Sequence, residues 1–75
     1  MEDSEERVRL GGGLAELRKR AGLTQVALAE KIERPTAFVS RIETGRRSLR
    51  LEEVARYASA LGLTPAEFVD ELVLD

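Results

Sequence analysis

Three arginines fall within Arg46-Arg47-Ser48-Leu49-Arg50, and a fourth, Arg41, stands shortly before them. A guanidinium is a planar fork of donors that fits phosphate oxygens and can make two parallel bonds to the edge of a guanine. Ahead of Arg41 lie Thr36, Ala37 and Ser40, which offer methyl groups and short hydroxyls. The chemistry open to this set is hydrogen bonding and charge pairing with a nucleic acid, with phosphates as the natural target of the 46–50 cluster. The plainer alternative is a solvated, charged turn. Bond-making chemistry has little support. The 75 residues include no histidine and no cysteine, which removes disulfides, zinc fingers, thiol chemistry and imidazole acid–base work. Carboxylates, lysine or hydroxyls would need a pocket, and a helical chain of this size has little room for one. No enzyme, cofactor or metal is expected.

These residues can act together only if short helices hold them on one face. From Leu23 to Gly45 the chain reads LTQVALAEKIERPTAFVSRIETG. Thr24 is a good N-cap, and Leu28, Ala29 and Ile32 then share one helical side. Glu33-Arg34-Pro35 breaks the pattern, because the residue before proline is pushed from helical angles while proline suits a first turn. A second helix over 35–44 has Val39 and Ile42 as its apolar side, and Gly45 stops it. Thr36, Ala37, Ser40 and Arg41 are left facing outward. A helix, a tight turn and a second helix with such a face suit a rod laid in a DNA major groove.

The pattern Leu17-Arg18, Gly22-Leu23-Thr24-Gln25, Leu28-Ala29, Ile32, Phe38-Val39-Ser40-Arg41-Ile42-Glu43, Gly45 and Arg47 resembles the lambda-repressor/Cro-like, or XRE-type, helix-turn-helix family. Leu51-Glu52-Glu53 and Ala60-Leu61-Gly62 extend the resemblance over roughly residues 10 to 70. It implies an all-α, five-helix domain with the helix-turn-helix in its second and third helices. It places Thr36, Ala37 and Arg41 at base-facing sites with Ser40 beside them. Gln25 matches a position that bonds phosphate and braces the recognition helix. Arg46, Arg47, Ser48 and Arg50 match a loop that contacts the DNA backbone. Arg18 and Glu43 match an ion pair joining the first helix to the recognition helix. There are departures. Thr36 is shorter than the long polar side chain frequent there, and Glu33 stands where a turn glycine is common. Phe38 projects outward, towards a thymine methyl or into partial packing on the first helices.

Charge is unevenly spread. The net charge is −2, yet residues 2–6 and 67–75 hold four acids each and no base, while 7–56 holds all twelve bases against six acids. Phosphate affinity follows the local field, so acidic ends can coexist with a basic working face. Residues 1–6 are expected to be frayed, with one domain over 7–75. Gly11-Gly12-Gly13 crosses the stripe Val8, Leu10, Leu14 and Leu17, and the first helix is expected to start between Arg7 and Gly12. Leu51, Val54, Ala58 and Leu61 mark a fourth helix, for which Arg50 is a poor cap. Thr64-Pro65-Ala66-Glu67 is a capping box opening the last helix.

In that last helix Phe68, Val69, Leu72 and Val73 are more apolar than one helix edge requires, so a homodimer interface is expected there; packing wholly within the monomer is the alternative. Double-stranded DNA is the expected partner. A protein-interaction module, docking a polymerase subunit, a coactivator or a toxin, is the rival. No run is long enough to span a membrane, and a cytoplasmic, nucleoid-associated regulator of transcription is expected. In size and layout the chain resembles small stand-alone regulators of this family, such as restriction–modification controller proteins, and an antitoxin or a phage-type repressor would look much the same.

Overall fold

In the computed structural model, which describes residues 2–73, five helices follow one another: α1 (Glu2–Arg20), α2 (Gln25–Ile32), α3 (Thr36–Glu43), α4 (Leu51–Ala60) and α5 (Pro65–Val73). This is the all-α, five-helix architecture that the sequence leads one to expect. Thr24 caps α2 by accepting the Ala27 N–H at 3.0 Å. Glu33 closes α2 in the left-handed region, at φ 59° and ψ 47°, and the Arg34 N–H reaches back to Ala29 O at 3.0 Å. Pro35, expected inside α3, is its extended N-cap and makes no side-chain bond. The capping box before α5 is complete: Thr64 N–H donates to Glu67 at 2.9 Å, and Glu67 N–H donates to Thr64 Oγ1 at 3.1 Å. Gly22 and Gly62, each with positive φ, end α1 and α4.

The start of α1 corrects the sequence expectation. The helix begins at Glu2, not between Arg7 and Gly12, and takes in residues 2–6, which were expected to fray; Met1 lies outside the described residues. Each helical glycine costs about 1 kcal/mol against alanine, so packing must offset that loss. Gly11 is buried where α1 crosses the end of α3, and a Cβ there would overlap the carbonyl oxygens of Ile42 and Glu43. Just upstream, Arg7 Nε donates to Gly45 O at 3.1 Å. Gly45 has a φ of +80°, and a Cβ on it would lie 2.8 Å from the Val8 nitrogen. Gly11 and Gly45 therefore let α1 pass close over the recognition helix and its loop.

The core gathers from all five helices, with Leu14 and Leu17 of α1, Leu28 and Ile32 of α2, Val39 and Ile42 of α3, and Tyr57 and Phe68 from the last two. Tyr57 and Phe68 lie with ring centroids 6.0 Å apart. Leu51, expected on the inner stripe of α4, is instead 86% exposed. It occupies the first helical position, before the turn has closed on the core, and Tyr57 supplies the bulk that the stripe lacks.

Gly11 and Gly12 should respond oppositely to alanine. Gly12→Ala, where nothing lies within 4 Å of the new Cβ, should gain about 1 kcal/mol in urea unfolding. Gly11→Ala should lose about 1–3 kcal/mol through overpacking against backbone. Equal gains at both positions would refute the close crossing.

Candidate nucleic-acid interface

The inner side of α3 is fixed by more than Val39 and Ile42. Arg18 of α1 and Glu43 at the end of α3 form a two-bond pair, Nε to Oε2 at 2.6 Å and Nη2 to Oε1 at 3.1 Å. Their side chains are only 11% and 5% exposed. Arg18 Nη1 also donates to Leu23 O at 2.8 Å, in the turn before α2. Gln25, in the first turn of α2, donates Nε2 to Glu43 Oε1 at 2.9 Å. One carboxylate thus ties α1, α2 and α3 together. The bond to Glu43 is the main cause that holds the Arg18 guanidinium above its ordinary pKa, against the opposing effect of burial. The amide of Gln25 is half-buried and turned towards this bracing contact.

On the opposite side of α3, Thr36, Ala37 and Arg41 are exposed and Ser40 is half-buried. The loop folds back on the last turn, with Arg46 N–H and Arg47 N–H both reaching Arg41 O, at 2.8 and 3.1 Å. Arg46, Ser48 and Arg50 are exposed. Among the described residues, Arg41, Arg46 and Arg50 belong to no ion pair. The loop is thus tied to the last turn of α3, and Arg41, Arg46 and Arg50 are exposed guanidinium groups without an ion pair among the described residues.

Arg47, expected among the phosphate donors, is engaged within the protein. Its two terminal nitrogens bond both oxygens of Glu53, at 2.9 and 3.0 Å, and Nη1 also reaches Ser48 O at 2.8 Å. Its guanidinium lies 4.5 Å from the centroid of the Phe38 ring, and that of Arg34 lies 5.7 Å away. Phe38 is accordingly half-buried between two cations, not projecting freely. The hydrogen bond from Arg47 is the main cause that holds the Glu53 carboxyl below its ordinary range. Arg50 precedes α4 without a side-chain cap, since arginine has no acceptor. Glu53 Oε1 instead accepts the Arg50 N–H at 2.9 Å. Sequence reasoning missed this cluster; its only trace was an arginine and a glutamate six residues apart across a turn.

The expected interface residues on α5 divide. Phe68 is 2% exposed and belongs to the monomer core, a correction that follows from its packing on Tyr57. Leu72 is half-buried against that core, while Val69 is 46% exposed. The Val73 side chain lies outside the described residues. Val69 and Leu72 line an open apolar groove of about 240 Å³ together with Leu10 of α1 and Leu49 of the loop.

A five-helix domain with a braced second and third helix and an arginine-bearing outer face is a helix-turn-helix module. Residues 9–71 match the model of a family described as a helix-turn-helix domain. The chain is 30% identical over 67 residues to control protein C.MunI from Mycoplasma sp., covering 88% of this chain and 90% of that one. Among solved structures it resembles the restriction-modification controller protein C.AhdI from Aeromonas hydrophila. The TM-score is 0.78 at 33% identity, over 85% of this chain and 97% of that one. The clp gene regulator ClgR from C. glutamicum gives a TM-score of 0.78 at 31% identity, over 89% and 87% of the two chains. The chain belongs to the XRE-type helix-turn-helix family of DNA-binding transcription regulators. No described helix is long and apolar enough to cross a membrane.

Glu43→Gln should lower stability by about 3 kcal/mol in chemical unfolding, because it leaves the Arg18 charge buried without a counter-ion. Arg41→Ala, at an exposed position, should stay within about 0.5 kcal/mol of the unsubstituted protein. Equal, negligible losses for both would refute the bracing role of the pair.

Proposed function

We propose that this regulator binds a two-fold symmetric operator as a homodimer, with α3 in the major groove of each half-site. The observation that carries this is the outer face of α3. Thr36, Ala37, Ser40 and Arg41 are presented by a helix whose other side is locked by Arg18, Glu43 and Gln25. Arg41 donates to a guanine, and Thr36 and Ala37 approach thymine methyls; Gln25, Arg46, Ser48 and Arg50 meet the flanking phosphates. A bidentate arginine–guanine contact is worth about 1–3 kcal/mol of discrimination. The control and gene-regulator names of the similar proteins support action on genes, and a place in the cytoplasm, at the nucleoid, belongs to the same reading.

A single domain of this kind reaches few base pairs, and a dimer places two recognition helices about 34–36 Å apart, one turn of DNA. Residues 7–75 act as one unit in which α5 carries the dimer contact. Support for that surface comes from exposed Val69 and Leu10, which border the same groove as Leu72. Val73 is included in the proposed interface from its place in the sequence.

Selection of bound duplexes from a random pool at about 150 mM salt, where weak non-specific attraction is screened, tests the reading. A two-fold symmetric motif should be enriched, and Arg41→Ala should lose a guanine preference at one position of each half-site. Val69→Asp should remain folded, become monomeric by sedimentation and bind the selected site far more weakly. Phe68→Asp, by contrast, should fail to fold. Absence of enrichment by folded protein would favour the rival of a protein-docking module, and a dimeric Val69→Asp would overturn the α5 interface.

A further inference from the structure

The loop after α3 carries three arginines, and the structure treats one of them differently. Arg46 and Arg50 are exposed and unpaired among the described residues, whereas the Arg47 side chain is 28% exposed and engaged by Glu53, Ser48 and Phe38. Its terminal nitrogens make a parallel pair of bonds to Glu53, its Nη1 reaches Ser48 O, and its plane packs over Phe38 of the recognition helix. The same Glu53 carboxylate accepts the Arg50 N–H at the start of α4. One carboxylate therefore holds the Arg47 side chain and the Arg50 backbone.

We propose that Glu53 is a positioning residue that decides which loop arginines meet DNA. Its carboxylate holds Arg47 against Phe38 and away from phosphate, leaving Arg46 and Arg50 as the loop's phosphate donors. This rests on the DNA-binding function proposed above. The physical basis is competition. A carboxylate and a phosphate offer a guanidinium the same pair of acceptor oxygens, and the parallel, charge-assisted bond is the strongest either can make. A phosphate would have to break two such bonds and lift the guanidinium off the ring. With Arg47 held, its contact with Phe38 fixes the loop to α3, so the base-facing side chains and the phosphate donors stay in one register. Release of Arg47 would add an electrostatic contact blind to sequence.

The test is the salt dependence of binding to the selected duplex and to an unrelated duplex, which counts phosphate contacts at about 0.9 log units per tenfold salt each. Glu53→Gln should steepen the slope by about 0.9 and raise affinity for the unrelated duplex, so the ratio of specific to non-specific binding falls. Glu52→Gln removes the same charge from an exposed neighbour and should leave the slope unchanged. Arg47→Ala should weaken binding at every salt concentration with no change of slope, while Arg46→Ala and Arg50→Ala should each flatten it by about 0.9. A merely structural Glu53 would lower affinity without moving the slope, and that result would overturn the proposal. So would a slope flattened by Arg47→Ala, or an equal steepening by Glu52→Gln. If Glu53→Gln does not fold, the slope of Arg47→Ala decides. Failure of the unsubstituted protein to bind any duplex is a separate outcome, and it would overturn DNA binding itself along with this role.

Discussion

The structure depends on one nearly buried carboxylate. Glu43 ends the recognition helix, and its oxygens receive Arg18 from α1 and Gln25 from α2. A helix of eight residues has little stability alone, since nucleating it costs more than its few hydrogen bonds return. Here its direction is set by charge and hydrogen bonding at one end and by Val39 and Ile42 along its inner side. A buried pair of this kind is weak evidence of net stability, because desolvation opposes the Coulomb gain. What it supplies is geometry, since an arginine fork and a carboxylate fit together in few ways.

The glycines serve the same end by a different route. Leu14, Leu17 and Arg18 are useful to α3 only if α1 lies close to it, and Gly11 permits that approach by presenting no side chain to the Ile42 and Glu43 carbonyls. Gly45 does the same where Val8 passes. Close crossing and ion pair reinforce each other: the first brings Arg18 within reach, the second fixes the angle. On the outer side one arginine, Arg47, is held by Glu53 and Phe38. Among the described residues Arg41, Arg46 and Arg50 are exposed and belong to no ion pair.

Much of the fold was legible because its punctuation is chemical. Thr24 and Thr64 cap helices by their own hydroxyls, and Gly22 and Gly62 end them, so the starts of α2 and α5 and the ends of α1 and α4 follow from single residue types. The outward placement of Thr36, Ala37 and Arg41 follows from the spacing of Val39 and Ile42. What escaped the sequence was whatever depends on another element's position. Periodicity shows that Phe68, Val69 and Leu72 belong to an apolar helix, but not that Tyr57 waits beneath Phe68 to draw it into the core. Local helix propensity places a start after Arg7, because it cannot see that α3 fills the space a Cβ would need at Gly11. Arg47 looked like its neighbours until the turn brought Glu53 round to it. Glu33 is a milder case: a left-handed glutamate is held there by the turn, at a cost of roughly 1–2 kcal/mol.

On this reading the outer face of α3 and its loop meet DNA while the braced inner side stays unchanged. Backbone amide shifts during titration with a bound duplex test this most directly. Large changes are expected at Thr36, Ala37, Arg41, Arg46 and Arg50, with little at Leu14, Arg18 and Tyr57. Changes concentrated on α1 and α5, with α3 unaffected, would contradict it.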